Sequence, residues 1–304
     1  MGGLAFDDDA FIDFRVHPPF GGFLGTHFHR DRDAVPQPLL HDPLGLDREP
    51  ATSFLDRSMP SFIAEMDAAG VDVAVVMGHQ TDPRWGFVHN VDVAQLAADH
   101  PDRLIPFAGV DPGRPDALET VEHALEMLGC RGLSLTPGWS DPPIDVDDPV
   151  LDPIYAACRE VGVPVVLTMS HYLGADLHAS DPVRIQRLAE HWPDLIIIVG
   201  HGAYPWVVQA CAIAMRYPNV YLLPDTYLHG QGIPGAAGYR DAVVGAVRGK
   251  VLYSSCYPAR SFSQSRRNLD ALHLPDDAQR LLTNVNPRRV LGATTPAAAV
   301  ERSG

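Results

Sequence analysis

The sequence predicts an α/β protein folded as a single (β/α)8 barrel, TIM-like, with a long loop after its first strand. Three observations carry this expectation. Short apolar runs alternate with amphipathic stretches of helical spacing; the pair recurs with little variation along nearly the whole chain; and 304 residues suit one large core. Strands separated by helices run parallel, because each crossover is a helix, and eight such units close most economically on themselves. An open doubly wound sheet is the competing architecture, but it calls for a glycine-rich phosphate turn after the first strand. The candidate there, GGFLG at Gly21 to Gly25, is followed by no helix start.

The first apolar run, Phe11 to Pro19 (FIDFRVHPP), is interrupted at Asp13, Arg15 and His17 and stopped by two prolines. It reads as a short buried strand that delivers Arg15 and His17 to one spot, since residues two apart share a face. Pro18 to Pro50 is rich in Gly, Pro and His and too long for an ordinary connection, so it reads as a lid or an excursion over a site; it carries His27 and His29. Leu55, Met59, Phe62, Ile63 and Met66 then keep helical spacing up to Gly70, and Val71 to His79 is the second strand. Helices at Val91 to Asp99, Ala117 to Leu128 and Leu151 to Val161 alternate with strands at Leu104 to Asp111, Cys130 to Trp139 and Pro164 to His171. The same alternation gives helices at Pro182 to His191, Trp206 to Arg216 and Tyr239 to Val247, with strands at Leu195 to Gly202, Asn219 to Asp225 and Val251 to Pro258. A helix near Pro275 to Thr283 closes the chain, and residues 1–304 read as one domain.

Composition narrows the function classes. A formal net charge of -15 with no basic run argues against nucleic acid and anionic membrane as partners, because both would repel the chain before contact. The longest apolar run, Leu195 to Val199, is far too short to span a bilayer, and the acidic start MGGLAFDDDAF is unlike a signal peptide, so a cytoplasmic location is expected. Cys130, Cys158, Cys211 and Cys256 are widely spaced without a CxxC pair, which disfavours a disulfide framework or a zinc ribbon. Three of them sit in apolar stretches as core residues, whereas Cys256 sits at the end of an apolar run.

In a barrel of this kind the active site lies where the strands end at the C-terminal face. The residues closing the apolar runs are Arg15 and His17, His79, Asp111, Trp139, His171, His201, Asp225 and Cys256. So many ionisable groups on one rim would be costly to bury without a role. His27 and His29 are expected to touch substrate from the loop, His79 and Trp139 to line the pocket, and Tyr204 and Tyr257 to offer hydrogen bonds. Asp225 is placed to orient a histidine or Arg15, or to cap a turn. The remaining histidines, His229 among them, fall in loops or helices and receive no role.

The D-x-R-V-H of the first strand, His171, GHGAYPW (Gly200 to Trp206), SSCYP (Ser254 to Pro258) and LLTNVNPRRVLG (Leu281 to Gly292) together resemble the amidohydrolase superfamily. They resemble most the branch that includes aminocarboxymuconate semialdehyde decarboxylase, resorcylate decarboxylases and pyrone dicarboxylate lactonase. The resemblance implies a metal held by an H-x-H on the first strand, a histidine after the fifth and an aspartate after the eighth, with an acid-base histidine after the sixth. By position His17 and His171 match two metal histidines and His201 the acid-base residue. Arg15 stands where the first histidine would be, and Cys256 where the aspartate would be. The resemblance also implies a homodimer.

Those two departures shape the expected chemistry. A guanidinium has no lone pair to give and its fixed charge repels a dication, so Arg15 is no ligand. The expected arrangement is therefore metal-free, with no cofactor. In it Arg15 holds a carboxylate or oxyanion, His201, His171 and Cys256 do acid-base or nucleophilic work, and the small carboxylated or carbonyl-bearing substrate undergoes a decarboxylase, other lyase, isomerase or cyclase reaction. The alternative is a zinc-dependent hydrolase or decarboxylase with His17, His171 and Cys256 as ligands. A second alternative is a relic that binds a small molecule without turning it over.

Overall fold

The computed structural model describes residues 7–29, 49–171, 176–229 and 232–292. The central part of the expected lid, 30–48, lies outside the described residues. Seven strands, β1 (Ile12–Val16), β2 (Val73–Met77), β3 (Leu104–Val110), β4 (Leu133–Leu135), β5 (Val165–Ser170), β6 (Ile197–Tyr204) and β7 (Val220–Leu223), pair in chain order. Every pairing is parallel. The eighth segment, expected as a strand over Val251 to Pro258, closes the sheet without regular strand structure. It bridges Leu222 to Val251 on one side and Val16 to Tyr257 on the other. Leu252 N donates to Leu222 O, Phe14 N to Tyr253 O and His17 N to Tyr257 O, each at 2.9 Å. Side chains take over the ladder in between: Ser255 N donates to both Asp13 carboxylate oxygens at 3.1 Å, and Cys256 N donates to Ser254 Oγ at 2.8 Å. The fold is an α/β TIM-like barrel.

The helices are α1 (Thr52–Asp56), α2 (Met59–Ala69), α3 (Asn90–Asp99), α4 (Ala117–Glu126), α5 (Asp152–Val161), α6 (Pro182–His191), α7 (Val207–Arg216), α8 (Ala237–Val244), α9 (Phe262–Asp270), α10 (Asp276–Arg280) and α11 (Asn286–Val290). The expected helix from Leu55 to Met66 is two. Arg57 sits in the left-handed region (φ 50°), Ser58 caps the next helix by accepting from Ser61 N, and Pro60 lies in its first turn. The strand expected over Cys130 to Trp139 shortens to β4, because Pro137 opens a 3₁₀ turn. The unexpected α9 has only Phe262 and Leu269 as buried apolar anchors, too few for a periodic signal. Among the described residues no helix is long and apolar enough to cross a membrane.

Two apolar layers fix what faces inward. Ile12, Phe14, Val73, Val75, Met77, Ile105, Phe107, Val166, Ile198, Tyr221, Leu223 and Leu252 pack together inside the barrel. Ala74, Val76, Leu167, Val199 and Leu222 pack outward against the helices. On β1 the parity changes: Ile12 and Phe14 face inward, but Val16 belongs to the helix-facing layer with Phe62 and Val76. The pairing with β2 shifts register between Asp13 and Val16, and this bulge turns Arg15 and His17 inward. Close backbone approach at Gly78 and Gly109 serves the same end. A Cβ on Gly78 would lie 2.2 Å from Gly109 N, so only glycine lets the ends of β2 and β3 converge below His79.

Candidate active site

Extending the inward parity past the apolar layer places His79, Thr168 and Gly200 above it, joined by Arg15 and His17 from the bulged β1. Arg15 is 3% exposed. Its Nη2 donates to Thr168 Oγ1 at 3.3 Å, while Nε and Nη1 have no partner among the described residues. The guanidinium rests against β6, where a Cβ on Gly200 would come within 2.8 Å of Nη1. Gly200 is thus the seat that admits the arginine.

His201 lies within β6, Asp225 just past the end of β7 and Cys256 within the closing segment. All three occupy the left-handed region, at φ 57°, 40° and 57°, which turns their side chains away from the direction an extended strand would give. His201 Nδ1 lies 2.8 Å from Asp225 Oδ1. The same oxygen accepts from Thr226 N at 2.6 Å and from Thr226 Oγ1 at 3.2 Å, and Oδ2 has no partner among the described residues. Burial pushes the Asp225 carboxyl up, but the His201 interaction, the Arg15 charge and the Thr226 N–H together hold it below the ordinary range. An ionised Asp225 therefore fixes a proton on His201 Nδ1, so that Nε2 is the nitrogen that exchanges one. A ring nitrogen of His201, a carboxylate oxygen of Asp225 and Cys256 Sγ lie within 4.8 Å of one another.

The shifts of His17, His79 and His171 all run toward the neutral form. Burial, then the Arg15, His79 and His27 charges, drive His17 well below its ordinary value; burial, His27 and Arg15 do the same to His79. His171 is lowered by burial and by His201. His17 Nδ1 is 3.4 Å from Tyr257 O, its ring stacks on Phe28 at 3.7 Å, and its carbonyl meets His29 Nε2 at 2.9 Å. His171 Nδ1 is 3.3 Å from the Tyr227 hydroxyl.

Aromatic walls stand on two sides of the mouth. Trp85 stacks on Trp139 at 4.2 Å, and His27 meets Trp139 at 4.8 Å and His79 at 5.1 Å. On the β6–β7 side Tyr204 stacks on Tyr227 at 4.3 Å, and the Tyr204 hydroxyl donates to Pro234 O. Tyr257 is placed differently from the expectation that it borders substrate. Its ring is fully buried between Phe62 and Phe262 and its hydroxyl pairs with Ser53 Oγ at 2.8 Å, so it holds the wall.

The zinc set expected from sequence, His17, His171 and Cys256, is not gathered. Among the described residues the one group of three donors is His201, Asp225 and Cys256, because the turn at Cys256 directs the thiol toward β6 and β7. Sequence reading also passed over Thr168, Trp85, Tyr227, Phe28 and Asp13. The uncharged ones carry no signal of their own, and Asp13 was visible only as an interruption. His229, given no role, is buried with Nε2 3.0 Å from Ser254 O, and its burial lowers it to about 4.

Comparison with known proteins agrees with this architecture. An amidohydrolase family model matches residues 12–293. An uncharacterized TIM-barrel protein from Bordetella bronchiseptica is 32% identical, with a TM-score of 0.83 over 95% of this chain and 99% of that one. A 2,6-dihydroxybenzoate decarboxylase from Rhizobium shares the fold at 18% identity and a TM-score of 0.66, covering 93% of this chain and 99% of its own. So does a 5-carboxyvanillate decarboxylase from Novosphingobium aromaticivorans, complexed with manganese and 4-hydroxy-3-methoxy-5-nitrobenzoic acid, at 17% identity and a TM-score of 0.61 over 93% and 96%. A search of the curated proteins finds no match. The bulged first strand, the strand-end histidines and the matched family model lead to one conclusion: the chain belongs to the amidohydrolase family.

Proposed function

We propose that the protein is an enzyme acting on a small, flat, carboxylated substrate, in which Arg15 supplies the positive charge that kindred sites draw from a metal. One observation carries this reading: a guanidinium at 3% exposure whose Nε and Nη1 have no partner among the described residues. An unmatched buried cation costs several kcal/mol, about as much as a substrate carboxylate or developing oxyanion would restore by pairing with it. The stacked pairs Trp85–Trp139 and Tyr204–Tyr227 offer flat faces to a ring or conjugated plane.

The metal arrangement that the family resemblance implies does not fit these residues. The charge of Arg15 acts on His17, His79 and Asp225, and among the described residues neither His17 nor His171 joins a donor group. A dication between them would face that charge at short range, where the repulsion is on the order of 8 kcal/mol for a separation of about 4 Å even when partly screened. In our reading Arg15 orients the anion, the neutral His17, His79 and His171 make hydrogen bonds without competing for it, and His201 Nε2 moves the proton while Asp225 holds the ring. His201 Nε2 first takes a proton, from a substrate hydroxyl or from water, and gives it to a ring or enol carbon. The C–C bond to the carboxylate then breaks, its electron pair returns to the ring or enol and carbon dioxide leaves, the step this set serves best.

A panel of hydroxylated aromatic and enolic carboxylic acids, followed by carbon dioxide release, tests the reading with native, chelator-treated and Arg15→Met protein. Activity should survive chelation and fall by about a hundredfold or more in kcat/KM on loss of Arg15. Stoichiometric metal whose removal abolishes activity and whose return restores it overturns the reading. That result favours a second one, for which the 4.8 Å donor group speaks: a soft cation such as zinc on His201, Asp225 and Cys256.

A further inference from the structure

We infer that Cys256 is a covalent nucleophile served by His201 and Asp225, so that the pocket also opens esters or lactones of small carboxylic acids through a thioester on its sulfur. The inference rests on the metal-free reading above and adds a bond class to it. Three features meet in one place. The His201 and Asp225 pair, at 2.8 Å, has the polarity that fixes a base: carboxylate on Nδ1, lone pair on Nε2. A ring nitrogen of His201 and Cys256 Sγ lie within 4.8 Å of one another, so a modest turn of the two side chains in a substrate complex brings the thiol to Nε2. The unpartnered Nε and Nη1 of Arg15, buried against Gly200, provide donors for the oxyanion that forms when a carbonyl is attacked.

The thiol answers a difficulty of a site without a metal. Water is a poor nucleophile unless a cation lowers its pKa, whereas a thiolate is strong at neutral pH once a histidine takes its proton. The step balances as follows. His201 Nε2 accepts the Cys256 proton, and the sulfur attacks the acyl carbon to form a C–S bond. The C–O bond to the leaving alcohol breaks, and that oxygen takes the proton from His201. Water, deprotonated by the regenerated His201, then cleaves the thioester, releasing the acid and returning the thiol. No oxidant or reductant is required.

The experiment uses the full chain with mono-4-nitrophenyl glutarate and 4-nitrophenyl benzoate as probes, following nitrophenolate by stopped flow and the acyl adduct by intact-protein mass spectrometry after acid quench. A burst close to one equivalent and an adduct mapped to Cys256 are expected, with kcat/KM at least about a hundredfold lower in Cys256→Ser and His201→Ala. Should a variant fail to fold by circular dichroism, native protein alkylated with iodoacetamide at Cys256 replaces it and should lose the burst. Turnover without an adduct, turnover that persists in Cys256→Ser, or no burst with either probe overturns the inference while leaving the Arg15 reading intact. Loss of turnover on chelation, with recovery on adding zinc, overturns the metal-free reading instead.

Discussion

Replacing Asp225 with asparagine exchanges one carboxylate oxygen for an amide and leaves the volume nearly unchanged. Thr226 N and His201 Nδ1 both meet Oδ1, so the amide oxygen that accepts from Thr226 N also keeps the Nδ1 contact, and what is lost is the negative charge beside the imidazole. The imidazolium that forms when Nε2 takes a proton then has no anion beside it. A loss in kcat of about 10²- to 10⁴-fold is expected, with the thermal unfolding curve and the chelator response unchanged. Asp13 makes a different prediction. Burial raises its carboxyl to about 7 against the opposing hydrogen bonds from Ser255 and Arg15. A raised folded value means that stability present below the unfolded value, 3.8, is lost as pH climbs through about 7. The buried histidines His17, His79 and His229 are lowered and act oppositely, losing stability as pH falls below their unfolded value. Asp13→Asn isolates the carboxyl: measured by urea unfolding, the variant should gain on the native protein steadily between pH 4 and 8. A difference that stays flat over that range would mean that Asp13 ionises normally.

At the scale of elements, the site depends on contacts that bring strand ends into register. Asn90 opens α3 and clasps β3 from the side, donating to Gly109 O at 3.0 Å and accepting from Gly109 N at 2.9 Å, all of it buried. Asn90→Ala leaves two backbone groups without partners next to His79, and a loss of about 2 to 4 kcal/mol is expected by chemical denaturation. The break between α1 and α2 predicts a milder effect. Ser58 caps α2 with a single bond to Ser61 N at 3.2 Å, so Ser58→Ala should cost about 1 kcal/mol and leave turnover of any substrate unaltered. None of these pairings follows from periodicity. Arg57, with its left-handed φ of 50°, is not a residue type that announces a break, and the apolar spacing continues across it.

For the molecule as a whole, closure is the decisive event. The chain ends clasp the bottom of the barrel: Asn286 Nδ2 donates to Arg248 O and Val251 O at 2.8 Å, and Asn284 Nδ2 to Ala10 O at 2.8 Å. Asn286→Ala removes both bonds to the closing segment at a fully buried position. It should lower stability by about 2 to 4 kcal/mol and, by loosening the segment that carries Cys256, raise the rate at which iodoacetamide reaches that thiol. Loss of stability without faster labelling would separate the clasp from the site.

The sequence by itself determined the alternation of strand and helix, the crowding of ionisable residues at strand ends, and the presence of Arg15 and Cys256 where metal ligands were expected. Those are local properties, set by apolar period and residue chemistry within a few positions of one another. It was the tertiary structure that decided which strand ends meet. A bulge turned Arg15 inward, left-handed turns swung His201, Asp225 and Cys256 together, and Tyr257 was drawn into the wall behind them. The direction of a side chain at the end of a strand depends on the turn that follows and on a neighbour two hundred or more residues away, as Asp13 and Ser255 illustrate, and no periodicity records it.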